Sequence, residues 1–352
     1  MSSKFDKDTA KERRAEVLST FLRLIDYAVE QEVSGIIIAG DLFDVSKVSA
    51  GTLKSIRTAI ENNPGITFFY LRGNHDTEGF TLGGEELPEN LKFFDEKWTS
   101  YPVDAEGRVV ITGTEAAGEI MRYEELALPE NTINIVTLHG QECEYMQQGV
   151  EDCIPLSMLR DRGIDYLALG HIHSYKLAPL DARGVYCYSG CLEGRGFDEC
   201  GEKGFVLLEI DPEEGKVDPV FIPFAKRKLY EIPVDISHVE DSVAACERIE
   251  ERLKNDKVSS QAMLKIILNG EISVDAEIST ELVAERLSED YYYVKVKDET
   301  SPHVSYEDYR LESSLKGEFV RKVYASADLS DDMKAKVIRC GIKALAGEEF
   351  LS

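Results

Sequence analysis

The chain has 352 residues, 43% of them hydrophobic and 30% charged, the balance of a soluble globular protein long enough for two domains. It carries 66 Asp and Glu against 40 Lys and Arg, a net charge of −26, and residues 1–225 hold 40 of the acidic residues but only 21 of the basic ones. Such a balance excludes a globally basic grip on nucleic acid, which would have to be held by bound metals, a local basic strip or a partner subunit. No run of about 18 apolar residues and no signal-peptide core is present, so no membrane association and a cytoplasmic location are expected. The seven cysteines, an odd number in a long chain, fit reduced thiols better than a disulfide framework. Cys187, Cys191 and Cys200 lack the paired spacing of a zinc site.

In chain order, Thr9 and Glu12 read as a capping box. Leu18, Phe21, Leu22, Ile25 and Val29 follow at helical spacing. The helix leads into Gly35-Ile-Ile-Ile-Ala-Gly40, whose three consecutive Ile read as a short strand buried on both faces. Asp41 and Asp44 stand just past its C-terminal end. A second helix is expected from Ser49 to Glu61 and a second strand from Ile66 to Leu71, ending in Arg72-Gly-Asn-His-Asp76. Strands over Val109–Gly113 and Ile133–Leu138 follow, the latter delivering His139. A short helix near Ile154–Arg162 precedes Asp165-Tyr-Leu-Ala-Leu-Gly-His-Ile-His173. Strands over Val185–Tyr188, Phe205–Ile210 and Val217–Ile222 complete the first part. This alternation of helix and short apolar strand indicates βαβ units on a mostly parallel sheet.

The texture changes near Phe224. Strand Leu229–Val234, helix Val239–Leu253, strand Met263–Leu268, helix Thr280–Leu287 and strand Tyr291–Val296 make a small α+β domain. Two helical segments flank Leu329-Ser-Asp-Asp332 in the tail. The expected division is 1–224, 225–312 and a helical tail over 313–352 that is a candidate docking element.

Four of the six histidines, His75, His139, His171 and His173, sit at strand ends together with Asp41 and Asn74. His238 and His303 read as structural. Nitrogen and oxygen donors without thiolates suit Mn²⁺, Fe²⁺ or Zn²⁺ in an open, water-bearing site. His171 and His173 cannot easily aim both rings at one ion but can serve two adjacent ions, with a carboxylate bridging. Two such ions equip a site for phosphoryl transfer. His75, beside Asn74, would be placed to donate to a substrate oxygen.

The motifs Gly40-Asp-Leu-Phe-Asp44, Gly73-Asn-His-Asp76, His139-Gly140 and Gly170-His-Ile-His173 resemble those of the calcineurin-like metallophosphoesterases. The chain is similar within that superfamily to the SbcD-like DNA repair exonucleases, through the first motif, the Gly190-Cys-Leu-Glu-Gly-Arg195 loop, the small second domain and the tail with Leu315-Lys-Gly-Glu-Phe-Val-Arg321. The resemblance implies a layered sheet sandwich flanked by helices. It makes Asp41 the bridging metal ligand, places Asn74, His139 and His171 on one ion and His173 on the other, and gives His75 a transition-state role. Asp44 joins His75 as a catalytic candidate, and Arg195 is the candidate for substrate binding. The implied metal is manganese, and the implied partners are DNA and an SbcC-like ATPase of the SMC type; a homodimer is left open.

One feature departs from the resemblance, which implies an opening strand ending in Asp-x-His. Met1–Asp8 contain no histidine and the first helix begins near residue 9. The chain is therefore expected to start late, to lack part of its first metal site, and to be poorly soluble and nearly inactive, with upstream DNA encoding the strand. The function expected is metal-dependent phosphodiester hydrolysis of DNA in double-strand-break repair. The alternatives are a phosphodiesterase acting on small nucleotides or phosphoproteins, and an impaired scaffold that binds the ATPase.

Overall fold

A computed structural model describes residues 5–43, 48–76, 87–116, 122–146, 149–150, 152–273, 276–303, 309 and 312–346. The chain forms two compact units, 1–226 and 227–352. Helix α1 (Lys7–Glu30) opens the first. Its N-cap is Asp6, whose carboxylate accepts from the backbone N–H groups of Asp8 and Thr9 at 3.1 and 2.9 Å. The expected capping box at Thr9 is therefore wrong: Thr9 lies inside the first turn, and an acidic N-cap one turn earlier satisfies the free N–H groups.

Strands β1 (Gly35–Ala39), β2 (Thr67–Leu71) and β3 (Leu91–Phe93) form a parallel sheet in that order, with α2 (Ala50–Glu61) between the first two. Ser49 caps α2, accepting from Thr52 N–H at 3.0 Å. The sequence next gives β4 (Thr99–Pro102), β5 (Val109–Gly113), β6 (Ile133–His139), a short pair β7 (Gln141–Cys143) and β8 (Cys153–Pro155), then β9 (Tyr166–Gly170), β10 (Lys176–Pro179) and β11 (Val185–Tyr188). These build a six-stranded sheet ordered β10-β11-β9-β6-β5-β4, parallel through its centre and antiparallel at both edges. The hairpin β12 (Gly204–Asp211) and β13 (Lys216–Pro223) completes the unit.

Alternation along each strand sorts the layers. Phe68 and Tyr70 pack with Phe21, Ile25, Ile56 and Ile60 of the helices. Phe69 and Leu71 face the other way, onto Ile111, Ile133, Ile135 and Tyr166 of the large sheet. Val136, Leu138, Leu167 and Leu169 then bury the far side of that sheet beneath Tyr123, Ile154 and Leu159. Strand β2 is thus covered on both faces, which is why it reads as an unbroken apolar run. Each of its four buried side chains contributes about 1.5–3 kcal/mol. Strand β1 pairs only with β2 among the described residues, and Ile36 and Ile37 are half-buried, so it is an edge strand and not the fully buried one expected.

Two other expectations fail. The helix expected near Ile154–Arg162 is instead β8 followed by a single 3₁₀ turn over Leu156–Met158. Its apolar residues fill the core beneath the large sheet, a short buried run that periodicity alone does not assign. Cys143 and Cys153 are joined in a disulfide, against the expectation of reduced thiols throughout. Parallel pairing of β7 with β8 brings the two cysteines, ten residues apart, to a Cα separation of 6.1 Å.

The buried face of α1 is unexpectedly polar. Arg13, Glu16 and Thr20 lie inside. Arg13 reaches Glu193 at 3.0 Å and the Gly194 carbonyl at 2.8 Å and also pairs with Glu16, while Thr20 donates to Glu193 at 2.9 Å and the Lys226 N–H bonds the same carboxylate.

In the second unit, β14 (Leu229–Asp235), β15 (Met263–Asn269) and β17 (Tyr293–Asp298) form a parallel sheet in register. Helices α3 (Ser242–Asn255) and α4 (Thr280–Leu287) cover it through Ile249, Leu253, Val283 and Leu287. A short parallel pair joins β16 (Glu271–Ser273) to β18 (Ser301–His303). The tail helices α5 (Leu315–Tyr324) and α6 (Asp331–Ala346) turn Val320, Val323, Ile338 and Ile342 onto one another and Tyr309, leaving Leu315, Met333 and Leu345 exposed. No helix of the described residues is long and apolar enough to cross a membrane.

Both side chains of the Arg13–Glu193 pair are fully buried. Removing one partner leaves an uncompensated charge, so Arg13→Ala should lower unfolding free energy by about 3–5 kcal/mol. Arg57→Ala, which breaks the more exposed Arg57–Glu61 pair on α2, should cost less than about 1 kcal/mol. Urea unfolding of the two variants checks the contrast.

Candidate active site

Four strand ends deliver polar side chains to one edge of the sheets. Strand β1 runs through Gly40 into Asp41, β2 into the turn 73–76, β6 ends on His139, and β9 ends on Gly170 before His171. In an open α/β sheet the C-terminal ends of parallel strands form such a crevice. Two glycines permit the approach. A Cβ on Gly170 would lie 1.6 Å from the Ala39 carbonyl oxygen, and one on Gly73 would lie 2.2 Å from Asp41 Oδ1. Asp41 and His171 adopt left-handed backbone, φ +54° and +96°, unusual for residues with side chains.

Asp76 ties the first two turns together. It is buried, and its carboxylate accepts from the backbone N–H groups of Phe43 at 2.8 Å, Gly73 at 3.0 Å and Leu42 at 3.3 Å. The His75 N–H in turn donates to Asp41 Oδ1 at 3.0 Å. The Asp41 carboxylate is aimed by the neighbouring turn.

One ligand atom each from Asp41, His139 and His171 lies within 4.8 Å of the others. His139 Nδ1 is 2.9 Å from the Ala39 carbonyl, an acceptor only, so Nδ1 carries a proton and donates it there. His139 Nε2 then faces Asn74 Oδ1 at 3.1 Å and Asp41 Oδ2 at 3.4 Å. Three lone pairs converge with no donor between them. With Asn74 Oδ1 turned inward, a cation satisfies them: a proton on Nε2, or a metal ion in its place. The donor set of carboxylate, amide oxygen and two imidazoles fits a divalent ion of the manganese–zinc range.

The protonation balance agrees. Burial is the largest single influence and works to raise the Asp41 carboxyl, but the hydrogen bond and charge of His139 and the His75 N–H together outweigh it and hold Asp41 below its ordinary 3.8. Burial opposes the charge on His139, but Asp41 and the Ala39 carbonyl raise it above 6.5. Burial, then the neighbouring His139, lowers His171, whose ring stands edge-on to that of His139 at 5.4 Å between centroids.

His173 does not join this group. Its Nδ1 lies 2.8 Å from Glu199 Oε1, and its carbonyl accepts from Lys203 Nζ at 2.6 Å. Arg195 is turned onto the same carboxylate, with Nε and Nη2 at 3.1 and 2.8 Å from Glu199 Oε1, and Nη2 also lies 3.0 Å from His173 Nδ1. Burial works against ionised Glu199, but His173 and Arg195 hold its carboxyl far below the carboxylate range. His75 is exposed beside Asn74. Asp44 lies outside the described residues. A cleft of about 280 Å³ adjoins the group, lined by Arg72, Asn74, Thr114, Glu115, His139 and Asp152 among others.

Sequence reading did not single out Glu199, Asp76 as a backbone clamp, or the cleft residues Glu115 and Asp152. Glu199 stands 26 residues from the nearest motif histidine, His173, in the loop after β11, with no spacing to mark it. Asp76 did carry a signal, since a carboxylate at the end of a tight turn commonly caps backbone N–H groups.

Residues 15–175 match the family of calcineurin-like phosphoesterases. Over those residues the chain is similar to the calcineurin-like phosphoesterases. Among curated proteins it is similar to the uncharacterized metallophosphoesterase YhaO of Bacillus subtilis, 29% identical over 269 residues, covering 70% of this chain and 62% of that protein. It is also similar to two proteins named DNA double-strand break repair protein Mre11. The Sulfurisphaera tokodaii protein is 27% identical over 261 residues, 66% of this chain and 62% of the relative. That of Sulfolobus acidocaldarius is 24% identical over 301 residues, 80% and 76% of the two chains. The chain thus spans 62% of the length of the first two relatives.

Gly170→Ala should push β9 off the Ala39 carbonyl and disorder the His139 and His171 donors. The expected loss is about 3 kcal/mol or more of stability, as for overpacking in a rigid site. Mn²⁺ affinity by calorimetry should fall by at least about tenfold, equal to about 1.4 kcal/mol. Unchanged Mn²⁺ binding would separate the strand contact from the site.

Proposed function

We infer that this chain hydrolyses phosphodiester bonds of DNA with divalent metal, as the nuclease subunit of a double-strand-break repair assembly. The observation that carries the reading is the convergence of Asp41, Asn74 and His139 lone pairs beside His171, which calls for a cation. The Mre11 relatives support DNA as the substrate class. Asp41, Asn74, His139 and His171 would hold one ion, and His173 would serve a second. Manganese suits this donor set. When bound, the ions supply a lowered pKa for an attacking water and positive charge at the phosphoryl oxygens.

The chain's own residues do the rest. The Ala39 carbonyl fixes the His139 ring so that Nε2 faces inward, the orienting contact that ligating histidines generally need. Burial and His139 keep His171 neutral and able to donate its lone pair. His75, exposed beside Asn74, is placed to donate to a substrate or leaving oxygen. His173 contributes a single donor where four gather on the other side. The second ion should therefore bind more weakly, and activity should keep rising with Mn²⁺ after the first site is filled.

A net charge of −26 leaves the chain without a broad DNA-binding surface. That surface would come from an SMC-type ATPase, docked in part by the tail helices through the exposed Leu315, Met333 and Leu345.

The test is hydrolysis of labelled single- and double-stranded DNA by the full chain with Mn²⁺, abolished by a chelator and restored by the metal. His75→Ala should retain Mn²⁺ binding by calorimetry while turnover falls by roughly 10²–10³-fold, the scale of losing one preorganised donor. Loss of Mn²⁺ binding in that variant would make His75 a ligand instead. Deleting residues 313–352 should weaken co-purification with the ATPase subunit, and unaffected co-purification would dispose of the docking role.

A further inference from the structure

Arg72 is the one Lys or Arg among the described residues that line the cleft, where it stands with Asp76, Glu115 and Asp152. It leaves the end of β2 two residues before Asn74. Glu115 holds it as a fork. Arg72 Nε lies 2.8 and 2.9 Å from the two carboxylate oxygens, Nη2 bonds Oε2, and the Arg72 backbone N–H reaches Oε1 at 3.3 Å. The Glu115 side chain is 9% exposed while that of Arg72 is 48% exposed. The fork consumes Nε and Nη2. Nη1 has no hydrogen-bond partner among the described residues.

A purely structural arginine fastening β2 to the turn after β5 would explain the two bonded nitrogens. It would not explain a half-exposed guanidinium with a free N–H pair at the wall of the cleft. Glu115 has a second effect: it fixes the plane of the guanidinium, so little side-chain entropy remains to be lost when Nη1 meets an anion. The cleft wall carries the carboxylates of Asp76, Glu115 and Asp152 among neutral and apolar residues. Ions bound by Asp41, Asn74, His139 and His171 would engage the phosphate being cut, but the neighbouring phosphate of a polynucleotide would meet carboxylates unless a cation receives it.

We propose that Arg72 Nη1 binds the phosphate adjacent to the scissile one, making Arg72 a specificity-determining residue that favours a polynucleotide over an isolated phosphodiester. This rests on the reading of the cleft as a site of DNA hydrolysis.

Arg72→Ala and Arg72→Lys in the full chain test it with Mn²⁺ and two substrates, a single-stranded oligonucleotide and bis(p-nitrophenyl) phosphate, which has no neighbouring phosphate. Arg72→Ala should raise KM for the oligonucleotide by about 10- to 100-fold, the loss of one hydrogen bond to a charged group, with kcat much less affected. The loss on the small diester should be smaller by about tenfold or more, and Arg72→Lys should recover part of the difference. Anisotropy of a labelled oligonucleotide in EDTA provides a readout independent of turnover. There Arg72→Ala should reduce the slope of log K against log salt by about 1. Equal losses on both substrates, or unchanged KM and unchanged binding, overturn the proposal. A chain that cleaves the small diester and not DNA overturns the DNA reading instead, while anisotropy still decides what Arg72 does.

Discussion

The buried carboxylate of Asp76 and the three backbone N–H groups it accepts bind two turns into one piece. A carboxylate in that position without partners would be too costly to desolvate, so the turn after β1 and the turn after β2 cannot separate without exposing it. Asp41 and Asn74 inherit their positions from that clamp. Asp41 sits in left-handed backbone and takes its aim from the His75 N–H across the joined turns. Asn74 lies between the residues the clamp holds and so is brought to His139 Nε2. The strand ends contribute direction; the clamp contributes register between them.

A related device operates on the other side. The loop after β11 carries Glu193, Glu199 and Lys203, all buried in a chain whose outside is strongly acidic. Each has a specific counterpart: Glu193 has Arg13 and Thr20, Glu199 has Arg195 and His173, and Lys203 has the His173 carbonyl. The excess negative charge is therefore a property of the surface. Inside, carboxylates are matched one by one, as the cost of burying an unpaired charge requires. His173 is consequently held by backbone and by ring, and α1 is fastened to the loop that holds it.

Much of this was legible in the sequence, for physical reasons. An apolar strand followed at once by Asp, Asn or His shows both the strand and the residue at its end, because burial of β2, β6 and β9 on both faces leaves an unbroken apolar run to read. That is why Asn74, His139 and His171 could be assigned to strand ends without coordinates, while Asp41 follows an edge strand that is only half-buried but equally apolar. What could not be read depends on partners distant in sequence. Arg13 and Glu193 are 180 residues apart, and each alone looks like a surface charge. The Cys143–Cys153 link needed the pairing of β7 with β8, two three-residue strands too short to carry a period. Residues near Ile154–Arg162 looked helical because a buried strand and a 3₁₀ turn in succession present the same apolar density as a helix. Thr9 looked like an N-cap because the true one, Asp6, lies outside the apolar pattern it serves.

The Cys143–Cys153 link sits where its chemistry matters to anyone handling the protein. Cys153 follows Asp152, a wall of the cleft, and Cys143 lies four residues beyond His139. The Asp152 carbonyl accepts from the Gln141 N–H at 2.7 Å and fills the space a side chain on Gly140 would need. A thiol reductant that opens the bond leaves this wall held by the β7–β8 hydrogen bonds, the Arg160–Glu144 pair and the packing of Ile154. Oxidised and reduced preparations are thus different molecules at the mouth of the cleft. The reducing agent customarily added to protect cysteines becomes an experimental variable on the same footing as the metal.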